Sequence, residues 1–216
     1  MLFDFETLPA KERYKLLVST VVPRPIAWVV SQDAAGQVNA APYSFFNAFG
    51  DDPAVVAIGC GPRAPGVPKD TLANIKATGQ FVVCLVPQEQ MESMVVTAAD
   101  FPAGTDEVAI AGLTRLASTK VAPPRIAESP VAMECETFQL VEAGRHTIVI
   151  GKVLAMHVRD DAVANAEKHY IDTPRLGLVG RMHGSGWYVR TTDRVEVPRY
   201  TAEQWAARQA EATGQL

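Results

Sequence analysis

Residues 20–47 read TVVPRPIAWVVSQDAAGQVNAAPYSFFN. Pro23 and Pro25 each fix φ and bias the preceding residue toward extended backbone, so any helix before them stops here. IAWVVS (26–31) then reads as an apolar strand, DAAG (33–36) as a turn closed by glycine, and VNAAPYSFF (38–46) as the returning strand. Pro42 removes one ladder donor, which makes this second strand a poor choice for a central, fully paired position.

Outward from this hairpin, LPAKERYKLLVS (8–19) spaces Leu8, Tyr14, Leu17 and Val18 along one helical face. AVVAIGCG (54–61) is a third strand, followed by the Gly/Pro-rich loop 61–68. KDTLANIKATG (69–79) reads as a short helix with Asp70 as N-cap, Leu72, Ile75 and the Lys76 stem inward, and Gly79 as its stop. FVVCLVP (81–87) is a strand, QEQMESMVVTAAD (88–100) is helical, and 101–129 is loop with one helical turn. VAMECETFQLVEA (131–143) and TIVIGKVLAMHV (147–158) form two long strands joined by GRH (144–146), with Glu134 and Glu136 on a wet face. Residues 161–174 connect to a broken strand pair within 175–190. TAEQWAARQAEA (201–212) is a helix, with Thr201 and Gln204 spaced as a capping box. About seven strands with Gly/Pro turns and few helices predict one mainly antiparallel barrel or sandwich over 1–216.

Composition narrows the function classes. Hydrophobic residues are 48% and charged residues 20% of 216, with a formal net charge of −4 and a pI near 5.6. The signs are interspersed, so no basic stripe supports nucleic-acid binding. Cys60, Cys84 and Cys135 sit singly in apolar runs, as buried thiols of a reduced protein do. No apolar run reaches the ~20 residues needed to cross a bilayer. The N-terminus has no signal-peptide pattern. A cytoplasmic protein is expected.

Five stretches can carry chemistry, each with a plainer reading beside it. Arg24, held between two prolines, aims a fork at an anion or is ordinary surface charge. Lys69 and Thr71 at a helix N-terminus suit a phosphate, or cap a surface helix. APYSFFNAF (41–49) mixes Ser44 and Asn47 with Tyr43, Phe45 and Phe46, which suits a planar heteroaromatic ligand or a packed core edge. His146, in a turn, is a general acid or cofactor contact, or is merely solvated. Arg181 and His183 flank glycines that allow close approach. His157 and His169 show no ligand-spaced carboxylate or cysteine, so no metal site is expected. No serine stands in G-x-S-x-G, and covalent nucleophilic catalysis has no support.

Four stretches in order resemble one family. They are PRPI…D-x-x-G…N-x-A-P-x-S-F-F…D-P (23–53), KDTLANIKATGQFVVCLV (69–86), AESPVAMECE (127–136) and GRHTIVIGKV (144–153). The chain is similar through these, over about 13–190, to the flavin reductase-like proteins of the FMN-binding split-barrel fold, which implies a core over those residues. The resemblance implies a six-stranded antiparallel Greek-key split barrel with short peripheral helices, forming a homodimer with FMN near the interface. It implies that Arg24, Pro25 and Ile26 lie beside the flavin. It implies that Ser44, Phe45, Phe46 and Asn47 line the isoalloxazine and ribityl chain, and that Lys69, Thr71 and Asn74 serve the phosphate. His146 then faces the nicotinamide or substrate as the catalytic residue. NADH or NADPH is the implied hydride donor, FAD an exchangeable flavin, and a monooxygenase the partner receiving reduced flavin. The alternatives are a self-contained FMN-dependent oxygenase acting on a small aromatic substrate and a non-enzymatic FMN electron carrier. Cys84 where the family usually has Asn, the extra Gly/Pro in 61–68, and RMHGSGWY (181–188) depart from the family pattern.

Overall fold

The computed structural model describes residues 1–213. Seven strands form one sheet: β1 (Ala27–Gln32), β2 (Val38–Tyr43), β3 (Phe46–Asp51), β4 (Ala54–Cys60), β5 (Gln80–Leu85), β6 (Val131–Ala143) and β7 (His146–Val158). Their order is β2-β1-β5-β6-β7-β4-β3, and every neighbouring pair is antiparallel. The opening hairpin pairs Ala27 with Tyr43 and Gln32 with Val38.

β2 and β3 lie at opposite edges of this sheet, yet only Ser44 and Phe45 separate them in the chain. A backbone spans at most about 3.6 Å per residue, so the two edges stand within about 11 Å there. The sheet therefore curls until its edges nearly meet, as an open-seamed barrel. The Gly59 N–H donates to Phe45 O at 2.7 Å, which continues the β3–β4 ladder by one residue into the link. The expected single strand 38–46 is thus two strands, and the sheet has seven strands where six were expected.

Side chains alternate along β1 between two cores. Trp28 and Val30 join Val38, Val82, Met94 and Val108, while Ala27 and Val29 join Ile58, Leu72, Ile75, Phe81 and Val149. Trp28 is fully buried, and its indole N–H donates to Thr97 Oγ1 at 2.9 Å, which meets the requirement that buried indoles find an acceptor. Phe81 packs over Gly151, where a Cβ would collide with its ring.

The described residues form five α-helices: α1 (Ala10–Thr20), α2 (Asp70–Thr78), α3 (Met91–Val96), α4 (Glu107–Ile110) and α5 (Ala202–Thr213). α2 ends as expected at Gly79 (φ 71°), whose N–H donates to Ile75 O at 2.8 Å. Its start differs. Lys69 holds the N-cap position without a side-chain cap, and Asp70 pairs instead with Arg63 at 3.0 Å. Lys76 is exposed and meets Glu142 at 3.1 Å. On α1 only Val18 is buried, while Tyr14 and Leu17 stay exposed. The capping box before α5 forms, with Thr201 N to Gln204 Oε1 at 2.9 Å and Gln204 N to Thr201 Oγ1 at 3.2 Å.

The expected wet face of β6 is also corrected. Glu134 is fully buried and accepts from Thr119 N (2.8 Å) and Lys120 N (2.5 Å), with His157 Nε2 at 2.6 Å. Burial pushes this carboxyl up, but the two amides and His157 outweigh it and hold it below the usual range. The pair fastens loop 101–129 to the sheet, and His157 has a carboxylate partner after all. No described helix is long and apolar enough to cross a membrane. Among the described residues, no three His, Cys, Asp or Glu side chains are grouped to hold a metal.

Candidate functional site

Residues 41–47 run past two cavities of opposite character. At the first, a space of about 130 Å³, Ala41, Pro42 and Tyr43 face Arg63, Lys69 and Thr71 together with the carboxylates of Asp70, Asp100 and Glu107. Arg63 is held by Asp70, whereas the Lys69 ammonium has no hydrogen bond or ion pair among the described residues. This is where an anion would be met. Beneath it, Thr71 Oγ1 donates to Asn39 Oδ1 at 2.7 Å, and Asn39 Nδ2 donates to Glu107 Oε2 at 2.9 Å.

At the second cavity, about 420 Å³, Phe45, Phe46, Asn47 and Phe49 face Ala57–Gly59, Ala143, His146 and Ile148. The Phe45 and His146 ring centroids are 6.3 Å apart, and the Tyr14 ring stands 6.2 Å from that of Phe45. Two glycines make this wall possible. A Cβ on Gly59 would come within 3.1 Å of Phe45 Cβ, and one on Gly61 within 3.1 Å of His146 Nε2. Burial, then the charge of Arg145, lowers the pKa of His146 from its ordinary 6.5, so the imidazole is neutral at pH 7. A neutral ring offers one donor and one acceptor at the mouth of an apolar cleft.

A third space is about 550 Å³. Arg63 lines it as well as the first cavity, and its Gly144 and Arg145 are chain neighbours of the Ala143 and His146 of the apolar one. Its wall is the 61–68 hairpin, Pro62–Ala64 paired with Val67–Pro68. Cys60 lies on this wall, but burial pushes its thiol up to about 12, so it is an inert neutral group.

The structure brings Phe45, Phe46, Asn47 and His146 together and puts Lys69 and Thr71 in the first, polar cavity. It separates the rest. Pro25 and Ile26 line a different apolar space of about 250 Å³ with Leu85, Val86, Leu178 and Val179. Asn74 donates to Ser31 Oγ at 3.2 Å and ties α2 to β1. Arg24 is no solvent-facing fork. It is 7% exposed, and its guanidinium donates to Val18 O (2.9 Å), Val21 O (2.8 Å), Met182 O (3.2 Å) and Ser44 Oγ (3.3 Å). It thereby binds the end of α1 and the 182 loop to Ser44, the link between β2 and β3.

The RMHGSGWY segment is also self-satisfied. Arg181 donates to Gly184 O (2.8 Å) and Trp187 O (3.2 Å) and lies 4.8 Å over the Tyr188 ring, while His183 stacks on Trp187 at 6.0 Å. Arg63, Asn39 and Glu107 escaped the sequence reading. The first two sit in stretches it quoted, GPR and N-x-A-P, but nothing around Glu107 marks it as facing a cavity.

With this geometry in view, the comparisons converge. Residues 18–174 match the family model described as a flavin reductase like domain. An uncharacterized protein of Deinococcus radiodurans is 46% identical over 207 residues, covering 94% of this chain and 91% of its own. The crystal structure of 2-nitrobenzoate 2-nitroreductase from Pseudomonas fluorescens superposes with a TM-score of 0.84 at 33% identity, covering 94% of this chain and 98% of that one. Nitrilotriacetate monooxygenase component B from Bacillus cereus gives 0.85 at 28% identity, covering 91% and 98%. The chain belongs to the flavin reductase-like family, with its mainly β fold and large antiparallel sheet.

Proposed function

We propose that this protein binds FMN along residues 41–47, takes a hydride from NADH or NADPH, and passes reduced flavin to a partner oxygenase. One observation carries the reading: a single backbone segment leads from a cavity with an unpaired lysine to an apolar cleft edged by a neutral histidine. Lys69 and Arg63 would hold the phosphate. Phe45 and Phe46 offer flat apolar surface, and backbone groups of 43–47 can meet the ring edge. The similarity to a monooxygenase component supports the transfer to an oxygenase.

The flavin supplies the two-electron chemistry; the chain supplies binding, orientation and electrostatics. The apolar walls from Phe46, Ile58 and Ile148 keep water off the reacting face. His146 holds or gives up a proton at a ring nitrogen and positions the incoming donor. His146→Ala is expected to lower turnover by about 10–100-fold while FMN affinity changes less than about threefold. Loss of FMN instead would move His146 from donor side to cofactor binding. Because the folded pKa of His146 lies below its unfolded value, its stability contribution is present above the unfolded value and is lost as pH falls.

A second reading has its own support. The similarity to a nitroreductase named for a nitroaromatic acid favours direct chemistry on a small aromatic compound at the same cleft. Under that reading an aromatic substrate, not free flavin, oxidises the reduced protein.

A further inference from the structure

The cleft of about 550 Å³ holds cations that the flavin reading leaves unused. Arg63, Lys76 and Arg145 line it, and among the described residues no carboxylate does. Arg63 and Lys76 pair with carboxylates outside that lining, Asp70 at 3.0 Å and Glu142 at 3.1 Å. The Arg145 guanidinium makes no hydrogen bond or ion pair among the described residues. Its place follows from the β6–β7 hairpin, which closes on the two-residue turn Gly144–Arg145 with Ala143 paired to His146. Gly144 takes φ 62° at the first central position, where such turns favour glycine. From the turn into β7 the side chains alternate. Arg145 and Thr147 line this cleft, while His146 and Ile148 line the apolar one. The imidazole also reaches the end of β4, where its Nε2 lies 3.1 Å from the position of a Gly61 Cβ. Gly61 separates Cys60 from Pro62, and both belong to the cleft wall. A ligand with its reacting end against His146 therefore has an unpaired guanidinium one residue away on the cleft side.

We infer that this cleft takes the phosphates of the nicotinamide donor and that Arg145 binds one of them. The inference rests on the flavin reading above and names a recognition residue for its hydride donor. A reduced nicotinamide nucleotide is a flat ring joined through a ribose to an anionic pyrophosphate, and NADPH adds a phosphate on the far ribose. Hydride transfer holds the ring against the flavin, on the side of His146. The anionic remainder needs a cation that has no other partner, and an arginine fork meets two phosphate oxygens at once. Lys69 lines the first cavity and not this one, so the flavin phosphate and the donor phosphates do not compete for it.

The test follows flavin bleaching at increasing donor concentration in FMN-loaded wild type and Arg145→Ala. The donors are NADH, NADPH and 1-benzyl-1,4-dihydronicotinamide, which has the same reacting ring and no phosphate. Arg145→Ala should raise the half-saturating concentration about tenfold for both nucleotides if the arginine meets the pyrophosphate, and for NADPH alone if it meets the additional phosphate. Bleaching by the benzyl compound should change less than about twofold, since no phosphate contact is lost. Unchanged half-saturation for both nucleotides overturns the inference. So does equal slowing with the benzyl compound, which would put Arg145 in the chemistry. A weakened FMN dissociation constant with donor half-saturation unmoved would assign the arginine to the flavin and overturn it too. Wild type that is bleached by the benzyl compound but by neither nucleotide would sink the nicotinamide-donor reading itself, and this inference with it.

Discussion

Lys69→Ala is expected to weaken FMN binding by about 10–100-fold while shifting the unfolding midpoint by no more than about 2 °C. Lys69 makes no hydrogen bond or ion pair among the described residues, and its side chain does not cap α2, so the fold does not depend on it. A charge-assisted hydrogen bond to a phosphate contributes about 1.5–3 kcal/mol, and each 1.4 kcal/mol is tenfold in affinity. Fluorescence titration of FMN against wild type and variant reads the effect directly. It should shrink as salt rises, because the cavity opens to solvent. An unchanged dissociation constant would place the phosphate elsewhere. Arg63→Ala is the less clean variant, since it also strands Asp70.

Arg24→Ala should produce the largest loss of stability of any change in this region, about 3 kcal/mol in denaturant unfolding. Three backbone carbonyls and the Ser44 hydroxyl lose their donor at once. Val18 O is buried among them, and a buried acceptor without a partner carries its full desolvation cost. For a chain of this size that corresponds to a midpoint lower by roughly 6–12 °C. Lysine should not restore it, because an ammonium cannot span four acceptors set around a planar fork. A loss below about 1 kcal/mol would mean that the guanidinium spends its time in solvent.

The contrast between these two cations shows what local sequence can and cannot reveal. The β1–β2 hairpin, the β6–β7 pair and the Gly79 stop of α2 were legible because period-2 alternation, turn glycines and left-handed caps act over a few residues. The break at Ser44–Phe45 was not. It depends on the chain crossing from one edge of the sheet to the other, and on an arginine 20 residues away. Glu134 reads as a surface residue until the amides of Thr119 and Lys120 close over it.

The candidate site divides the same way. Phe45, Phe46, Asn47 and His146 line one cavity, since the strand ends that carry them converge on one wall. Thr71 and Asn74, polar residues near a helix start, turn inward to Asn39 and Ser31. Glu107 belongs to a short helical turn in a loop-rich stretch, where no periodicity reports which way a side chain faces.

The most direct measurement is anaerobic addition of NADH, then NADPH, to the FMN-loaded protein while following the yellow flavin absorbance. Hydride transfer to the bound FMN gives rapid bleaching by at least one of them, slowed by about 10–100-fold in His146→Ala. Free FMN or FAD added afterwards should be reduced in turn. Protein that holds FMN yet is bleached by neither nucleotide would contradict that transfer.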